Sequence, residues 1–299
     1  MDVVNSPAQD AGALIQRGED AYPPLLSEIH DPPDVLYVRG RPDALLQPQM
    51  AIVGSRRASS AGLSLASRLA VELSAAGLGV CSGLALGVDG AAHRGALEAG
   101  GASVAVMATG VETVYPRRHL PLASQLMQTG CLVTEFPPGT PPRREHFPQR
   151  NRIISGLSLG VLVVEATPGS GSLITARAAL EQGREVFALP WSALHDGGRG
   201  CLQLLRDGAK MVESVDDILE ELGPLFRFHT ESSSAPRPLH TVAVPAGALA
   251  LLQFLGYEVV SLDRLVADSG QPVSAVLDQL SALELGGQVA RVSGGYIRC

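Results

Sequence analysis

The chain has 299 residues and a net charge of -7, with 33 glycines, 45% hydrophobic residues and only 4% aromatic residues. This length fits one domain of about 150–200 residues with a smaller second one, and the composition favours an α/β core of small aliphatic side chains. The acidic pI, near 5.5, argues against a general nucleic-acid coat protein. Any nucleic-acid binding must therefore come from a local basic patch on an acidic body.

The sequence lacks the marks of a membrane span, a secretory signal or a disulfide framework. No apolar run approaches the roughly 20 residues that a membrane helix needs, and the acidic N-terminus has neither a basic start nor an apolar stretch. The cysteines are scattered without a CxxC pair, at Cys81, Cys131, Cys201 and Cys299. They are expected to be free thiols in a reducing cytoplasm, with no metal site.

The N-terminal segment, residues 1–48, lacks clear periodicity and contains two Pro-rich turns. Within it, Leu36–Gly40 is a candidate short edge strand. We expect the segment to be a strap packed on the main domain, with the first dozen residues frayed.

From Met50 onward, short apolar strands alternate with helical segments. Met50–Gly54 predicts a buried strand, and Ser60–Ala76 predicts a helix that Gly77 ends. Later strands are expected at Gly79–Cys81, Ala102–Met107, Cys131–Thr134, Val161–Glu165, Glu185–Leu189 and Gly208–Val212. Such alternation predicts an α/β fold with a Rossmann-like, doubly wound, mostly parallel sheet over residues 49–222. Ligands then lie at the carboxyl ends of the strands.

Two Gly/Ser loops at that edge are candidate anion sites. The Gly54-Ser55-Arg56 turn brings backbone N–H groups and a guanidinium beside a helix N-terminus, which suits phosphate, although it is equally consistent with a structural turn and an exposed Arg. The loop Gly169-Ser170-Gly171-Ser172 follows a strand and opens a helix, as an anion nest does. It lacks the Gly-Lys-Ser/Thr of a Walker loop, so NTP hydrolysis is not inferred.

Asp89 and His93 are four residues apart at the start of another predicted helix and share one face. They could form an acid–base pair or part of a metal site. The favoured interpretation is structural, with Asp89 capping the helix and His93 packing beside it, because further convergent groups are missing.

The stretch Arg143–Arg152 is the most basic part of the chain, with four arginines in ten residues around Phe147. It is expected to be a loop that opens a helix at the edge of the sheet. Arginines around one aromatic suit a site that holds a nucleic-acid backbone and stacks one base. The alternative is a solvated loop with Phe147 plugging the core.

The C-terminal part begins with a Ser/Pro-rich linker at residues 223–240. Residues 241–299 then predict three helices and a hairpin through Ser293-Gly294, which is the pattern of a small winged-helix domain. Such modules often read DNA through the third helix. Here the region carries three arginines against five acidic residues, so contact with a protein is favoured over duplex reading.

Five linked motifs resemble the DNA-processing protein A family (DprA/Smf): Val53-Gly54-Ser55-Arg56, Ser82–His93, Tyr115-Pro116, Phe147–Ile154 and Ser170–Ala176. The resemblance covers most of residues 20–299. It implies a cytoplasmic protein of natural transformation (competence) that binds and protects incoming single-stranded DNA. It also implies that the protein helps to load the RecA recombinase and forms a homodimer through the Rossmann-like domain. No catalytic activity, cofactor or metal is implied.

The resemblance also implies roles for individual residues. Arg56, Arg144 and Phe147 match family positions that contact DNA: two neutralise phosphates, and Phe147 stacks a base. Backbone amides at Gly54–Ser55 and in the Gly169–Ser172 loop are expected to hold further phosphates. Arg150 and Arg152 are expected to set the local field, unless one of them pairs with Glu165 or Glu135 as structural support. Asn151 is either an anchor or a base contact.

The chain departs from the family pattern in three places. The family usually has an additional N-terminal helical domain, so residues 1–48 are interpreted as a remnant or a truncated one. Leu86 stands where Arg or another polar residue is more common. Trp191 and Cys201-Leu202 replace Gly and a more polar pair, and we expect them to perturb the last loop and the dimer surface rather than the groove.

Two other function classes remain open. A Rossmann-like sheet with anion loops also suits a nucleoside-monophosphate phosphoribohydrolase, but that group needs a Pro-Gly-Gly-x-Gly-Thr loop beside a catalytic Glu, which Pro168–Ser172 matches only in part. A pure adaptor, whose winged helix and linker recruit partners, is the third class.

Overall fold

The computed structural model describes residues 12–223, 250–255, 260–285, 289–292 and 295–298. The chain divides into two compact units, Met1–Ser233 and Ser234–Cys299. The expected linker, apart from Gly223, and the expected frayed start, apart from Gly12, lie outside the described residues. No helix within the described ranges is long and apolar enough to cross a membrane.

The first unit contains a nine-stranded sheet in the order β1-β2-β6-β5-β4-β3-β7-β8-β9. The strands are β1 Ala13–Gln16, β2 Val35–Gly40, β3 Gln49–Val53, β4 Gly79–Ser82, β5 Ser103–Val106, β6 Cys131–Thr134, β7 Gly160–Val163, β8 Glu185–Ala188 and β9 Lys210–Met211. From β6 through β9 along the sheet, every neighbouring pair is parallel. The predicted mostly parallel α/β sheet is therefore confirmed.

Helices cover both faces of this sheet. They are α1 Pro24–Ser27, α2 Ser60–Ala75, α3 Val88–Glu98, α4 Leu120–Thr129, α5 His146–Gly156, α6 Gly171–Glu181 and α7 Arg199–Arg206, and residues 215–223 are also helical. Successive residues of β3 point to opposite sides, so Val53 joins one buried apolar cluster and Ile52 the other. Burial on both faces explains why the strands are continuous apolar runs rather than alternating ones.

The chain order places a topological switch beside β3. From β3 the chain runs to β4 and onward in one direction, and it returns to the other side of β3 as β7. The loops that leave β3 and β7 therefore diverge, which opens a crevice at the carboxyl edge of the sheet.

Two expectations about this unit need correction. Residues 13–16 and 35–40 form β1 and β2 rather than a separate strap, and β2 is not an edge strand because it pairs antiparallel with both β1 and β6. The basic stretch expected to be a loop is helical from His146. Pro148 is tolerated there because the first-turn N–H groups of a helix have no intrahelical acceptor anyway.

The second unit has the predicted winged-helix elements with one change. A 3-10 helix at Ala250–Phe254 stands where the first α-helix was expected, and it is followed by helices Leu262–Ser269 and Val273–Leu285. An antiparallel hairpin then pairs β10 Val289–Val292 with β11 Gly295–Arg298. The apolar side chains of the helices and the hairpin, including Leu255, Leu265, Leu280 and Tyr296, form one buried cluster.

Candidate nucleic-acid interface

A groove of about 490 Å³ lies at the carboxyl ends of β3 and β7, where the switch point predicts a ligand site. The residues that line it come from the turn after β3, the start of α3, helix α5, the loop after β7, the start of α6 and the loop after β8. They include Gly54, Ser55, Arg56, Arg57, Asp89, Phe147, Arg150, Asn151, Glu165, Ser170, Gly171, Ser172 and Gly197. The structure therefore brings together the loops that the sequence analysis had assigned to one rim.

Phe147 belongs to the wall of this groove rather than to the core. Its side chain is half-buried, and the Arg56 guanidinium carbon lies 5.1 Å from its ring centroid. The ring of Tyr115 meets it edge-on, with 5.8 Å between centroids and 62° between planes. A cation beside a partly exposed aromatic ring can bind a phosphate while the ring stacks on a base.

The N-terminus of α2 is already filled by a protein anion. The Glu165 carboxylate accepts hydrogen bonds from the Ser59 backbone N–H at 3.0 Å and from the Ser59 hydroxyl at 2.6 Å. The Ser55 N–H donates to the Glu165 carbonyl oxygen at 2.7 Å. The expectation that the Ser55 amide holds a phosphate is therefore wrong. Gly54 is needed for close packing, because a Cβ there would lie 2.9 Å from the same carbonyl oxygen.

The N-terminus of α6 is open to the groove. Gly169 has φ +81°, which favours glycine, and a Cβ added at Gly171 would meet open space. The hydroxyls of Ser170 and Ser172 lie 2.8 Å apart, while the Ser170 amide donates to the Thr167 carbonyl oxygen. The Ser172 N–H donates to the Ser170 hydroxyl oxygen at 3.4 Å, and the Leu173 N–H donates to the Ser170 carbonyl oxygen at 3.1 Å. The two hydroxyls and the Gly171 amide can thus meet an anion here.

Arg150 is a buried side chain that supports the groove through hydrogen bonds to the backbone. It is 5% exposed, and its Nη1 donates to the carbonyl oxygens of Gly83 and Val106. The neighbouring Asp89 carboxylate accepts from the Gly83 and Ala85 N–H groups at 3.1 and 3.2 Å. Burial raises the pKa of Asp89, and the Arg150 charge opposes that shift. Arg150 thus reaches the groove as a buried support with engaged donors rather than as an exposed phosphate ligand.

Asn151 and Arg152 are tied to other elements. The Asn151 amide nitrogen donates to the Gly171 carbonyl oxygen at 3.3 Å, which anchors α5 to the start of α6. Arg152 does not line the groove and pairs with Glu135 at 2.7 Å and with Asp31 at 3.0 Å. The structure thus realises the alternative in which an arginine of this stretch supports the fold through Glu135.

Arg144 is exposed on the turn before α5 and does not line the groove. Two further residues of the site were not assigned a role from the sequence. Arg57 lines the groove beside Arg56, and Tyr115 contacts Phe147. The neighbouring Arg56 and the Tyr115-Pro116 motif were the available signals, but neither indicates spatial proximity to Phe147.

The Asp89/His93 pair is structural in its contacts. Asp89 binds amides of the preceding loop rather than the first turn of its own helix. His93 is fully buried, and its Nδ1 lies 2.8 Å from the Ser103 hydroxyl. Burial lowers the pKa of His93 to about 3, so the ring is neutral. No cluster of metal-ligating side chains occurs among the residues described.

The loop that carries Trp191 reaches the groove through Gly197, whereas Trp191 and Cys201 themselves do not line it. The Trp191 indole N–H donates to the Val164 carbonyl oxygen at 2.7 Å, and its ring lies 4.4 Å from that of His195. His195 Nε2 lies 3.6 Å from the Glu165 carboxylate, and Gly197 lines the groove. Cys201 is buried and its thiol donates to the Val163 carbonyl oxygen at 3.5 Å.

Comparisons with known proteins agree with this architecture. Residues 13–223 match the family model of DNA recombination-mediator protein A, and residues 233–295 match the DprA winged helix domain. Protein Smf of Escherichia coli K12 is 46% identical over 291 residues, which are 95% of this chain and 77% of that protein.

Two solved structures resemble the chain. DNA processing protein A (DprA) from Streptococcus pneumoniae gives a TM-score of 0.68 at 42% identity, over 71% of this chain and 75% of that one. DNA processing protein A from Helicobacter pylori, described for its single-stranded DNA binding mode, gives a TM-score of 0.64 at 27% identity. This match covers 71% of this chain and 96% of that one. The chain belongs to the DNA recombination-mediator protein A (DprA/Smf) family.

Proposed function

We propose that the groove binds single-stranded DNA and that the protein delivers this DNA to the RecA recombinase in the cytoplasm during natural transformation. The observation that carries the proposal is the Arg56–Phe147 pair, with 5.1 Å between the guanidinium carbon and the ring centroid, in the wall of a groove at the switch point of the sheet. Family membership and the single-stranded DNA binding named for the Helicobacter pylori relative support it.

The residues predicted from the sequence to form the DNA site have proposed roles, both in the groove and beside it. Arg56 and the exposed Arg144 neutralise phosphates, and Phe147 stacks a base, a contact worth about 1–3 kcal/mol. Ser170 and Ser172 meet a further phosphate through their hydroxyls. Arg150, Asn151 and Arg152 hold the wall in place through the contacts described above rather than by binding DNA themselves.

The contacts of Glu165 argue against a phosphoribohydrolase. A catalytic carboxylate must be able to reach its substrate. Glu165 lines the groove, but its side chain is only 3% exposed and its carboxylate is engaged by the Ser59 N–H and hydroxyl. A Cβ at Gly62 would lie 2.2 Å from Glu165 Oε2, so the carboxylate is also tightly packed. We therefore propose a DNA-binding recombination mediator without catalytic activity of its own.

Three further proposals complete this function. The α/β domain, residues 49–222 with the two added strands, forms the homodimer. The winged-helix domain, residues 241–299, contacts a protein rather than duplex DNA, because its charge is net negative. Sedimentation of the full chain tests the dimer, and a duplex-binding assay tests the role of the winged helix.

The main test is a salt titration of binding to a fluorescent oligo-dT and to a duplex of equal length. We expect tighter binding of the single strand. The salt slope, which is the slope of the logarithm of the binding constant against the logarithm of the salt concentration, should flatten by about 0.7 for each phosphate contact removed in Arg56→Ala or Arg144→Ala. Phe147→Ala should weaken binding with little change in slope. Arg68→Ala, which changes an exposed arginine outside the groove lining, is the control.

Two results would contradict the proposal. Equal, weak binding of both DNAs that none of the groove variants alters would remove the groove as a DNA site. Release of free base from a nucleoside monophosphate would instead support the phosphoribohydrolase. RecA delivery is measured separately, as RecA-dependent strand exchange on DNA coated with single-strand binding protein, with and without this protein.

A further inference from the structure

Tyr115 lies next to Phe147, just outside the groove. Its side chain is 47% exposed and contacts Phe147 edge-on, yet it is not among the groove-lining residues. Arg56 lies on the Phe147 ring at 5.1 Å, so Phe147 has a cation on one side and an exposed second aromatic beside it.

The loop that carries Tyr115 is held at both ends. The Gly110 N–H donates to the Thr140 carbonyl oxygen at 2.9 Å, and the Thr109 hydroxyl donates to the Thr113 carbonyl oxygen at 2.6 Å. After Tyr115, the buried His119 places its Nδ1 2.9 Å from the Leu84 carbonyl oxygen. The ring is therefore presented in a defined position next to Phe147, as a binding platform requires.

Two exposed arginines follow Tyr115 in a short 3-10 helix. Arg117 and Arg118 are both exposed, and within the described part of the chain neither has an ion-pair partner. An aromatic followed by two cations without carboxylate partners has the composition of a single-strand binding surface, in which rings stack bases and cations follow the backbone. The net charge of the chain is -7, so such a basic and aromatic surface is not a general property of this protein.

We propose that Tyr115 is a second base-stacking platform and that Arg117 and Arg118 hold the adjoining phosphates. A bound single strand then runs from the groove across Phe147 onto Tyr115. This inference rests on the proposed function of the groove, and it extends the site to residues outside it.

The geometry of the two rings makes this extension selective for single strands. Their centroids are 5.8 Å apart and their planes are inclined by 62°. Neighbouring bases of a duplex are parallel and rise by about 3.4 Å. Two bases that stack on the rings of Phe147 and Tyr115 must therefore be unstacked from each other and inclined. A flexible single strand permits this arrangement, and a paired strand resists it.

The test measures oligo-dT of about 4 and about 20 nucleotides, chosen to fill the groove alone or to reach past it. We expect Tyr115→Ala to weaken binding of the longer strand by about 5- to 150-fold without changing its salt slope, and to leave the short strand nearly unchanged. Tyr115→Phe should bind like the wild type. Replacing Arg117 and Arg118 together by Ala should flatten the slope for the longer strand by up to about 1.4.

Tyr115→Leu separates stacking from simple packing against Phe147. Leu keeps an apolar contact but offers no ring, so binding of the longer strand should fall as it does in Tyr115→Ala. Wild-type binding by Tyr115→Leu, or an equal loss on short and long strands, would show that Tyr115 only supports Phe147 and would overturn the inference. If Arg56→Ala and Phe147→Ala also have no effect, the groove itself fails. If those two weaken binding while Tyr115→Ala does not, only this extension fails.

Discussion

The Glu165 carboxylate accepts hydrogen bonds from both the N–H and the hydroxyl of Ser59, which joins the loop after β7 to the N-terminus of α2. A negative charge is favourable at that end of a helix. The two loops that diverge at the switch point are thereby tied together beneath the groove. The bond also occupies the N-terminus of α2, whereas at the N-terminus of α6 the Gly171 amide and the hydroxyls of Ser170 and Ser172 face the groove.

Ser59→Ala should destabilise the first unit. The change removes the N-cap of α2, whose hydroxyl oxygen accepts from the Gly62 N–H at 3.0 Å, and one donor to the buried Glu165 carboxylate. We expect a loss of about 1–3 kcal/mol in the free energy of unfolding. Urea unfolding followed by fluorescence measures it, because Trp191, the one tryptophan of the chain, lies in this unit. The exposed Ser64→Ala on the same helix is the control, and equal midpoints for both variants would contradict the assignment.

Arg150→Ala should be strongly destabilising, in a way that depends on pH. It removes the buried donors to the Gly83 and Val106 carbonyl oxygens and the positive charge that acts on the buried Asp89 carboxylate, which together should cost about 3–5 kcal/mol. Burial raises the pKa of Asp89, and loss of Arg150 raises it further. The folded state then keeps a proton that the unfolded chain releases above about pH 3.9, so stability is lost as the pH rises through the raised pKa.

The urea midpoint of Arg150→Ala should therefore fall further below that of the wild type at about pH 8 than at about pH 5. Adding Asp89→Asn should remove this pH dependence, because no carboxylate remains to titrate. A deficit that is the same at both pH values would show that Asp89 and Arg150 are not coupled. Loss of DNA binding in a variant that keeps wild-type stability would instead restore Arg150 as a direct ligand.

His93 should make the protein acid-sensitive. Burial lowers its pKa from 6.5 to about 3, and the nearby His119, Arg150 and Arg94 act in the same direction. Below pH 6.5 the unfolded chain takes up a proton that the folded protein refuses, so stability falls by up to about 1.4 kcal/mol per pH unit on acidification. This contribution is fully present above pH 6.5 and diminishes as the pH falls toward 3.

Unfolding midpoints between about pH 7.5 and about pH 5 should thus fall less in His93→Asn than in the wild type. The exposed His30→Asn should follow the wild type and serves as the matched control. Parallel pH profiles for all three proteins would contradict the burial of a neutral His93.

Arg152 and Arg144 should separate stability from binding. Arg152→Ala breaks ion pairs with Glu135 and Asp31, of which the first is largely shielded from solvent, and should cost about 1–3 kcal/mol of stability. Its salt slope for oligo-dT should stay at the wild-type value. Arg144→Ala should show the opposite pattern, with unchanged unfolding and a flatter slope. A flattened slope in Arg152→Ala would place that arginine on the DNA path.

The local pattern of side chains determined the architecture. Short apolar runs separated by helical segments predicted the parallel sheet, and the rule for ligand sites predicted that the Gly54–Arg56 turn, the α5 segment and the Gly169–Ser172 loop share one rim. The start of α5 was missed because Pro148 and the preceding prolines mask a helix whose first turn tolerates proline. The role of residues 13–40 was missed because antiparallel pairing with β6 is a long-range contact.

The identity of the DNA-facing residues was decided only by the tertiary structure. The sequence does not distinguish the four arginines of residues 143–152 from one another. In the structure, Arg150 donates to the carbonyl oxygens of Gly83 and Val106, and Arg152 forms an ion pair with Glu135. Those partners come from elsewhere in the chain, so no local pattern could distinguish a buried brace from an exposed cation. The contact of Tyr115 with Phe147 and that of Glu165 with Ser59 also join distant segments, so the sequence alone could not predict them. The sequence by itself determined which chemistry gathers at the rim, and packing between distant segments decided which groups remain open to a ligand.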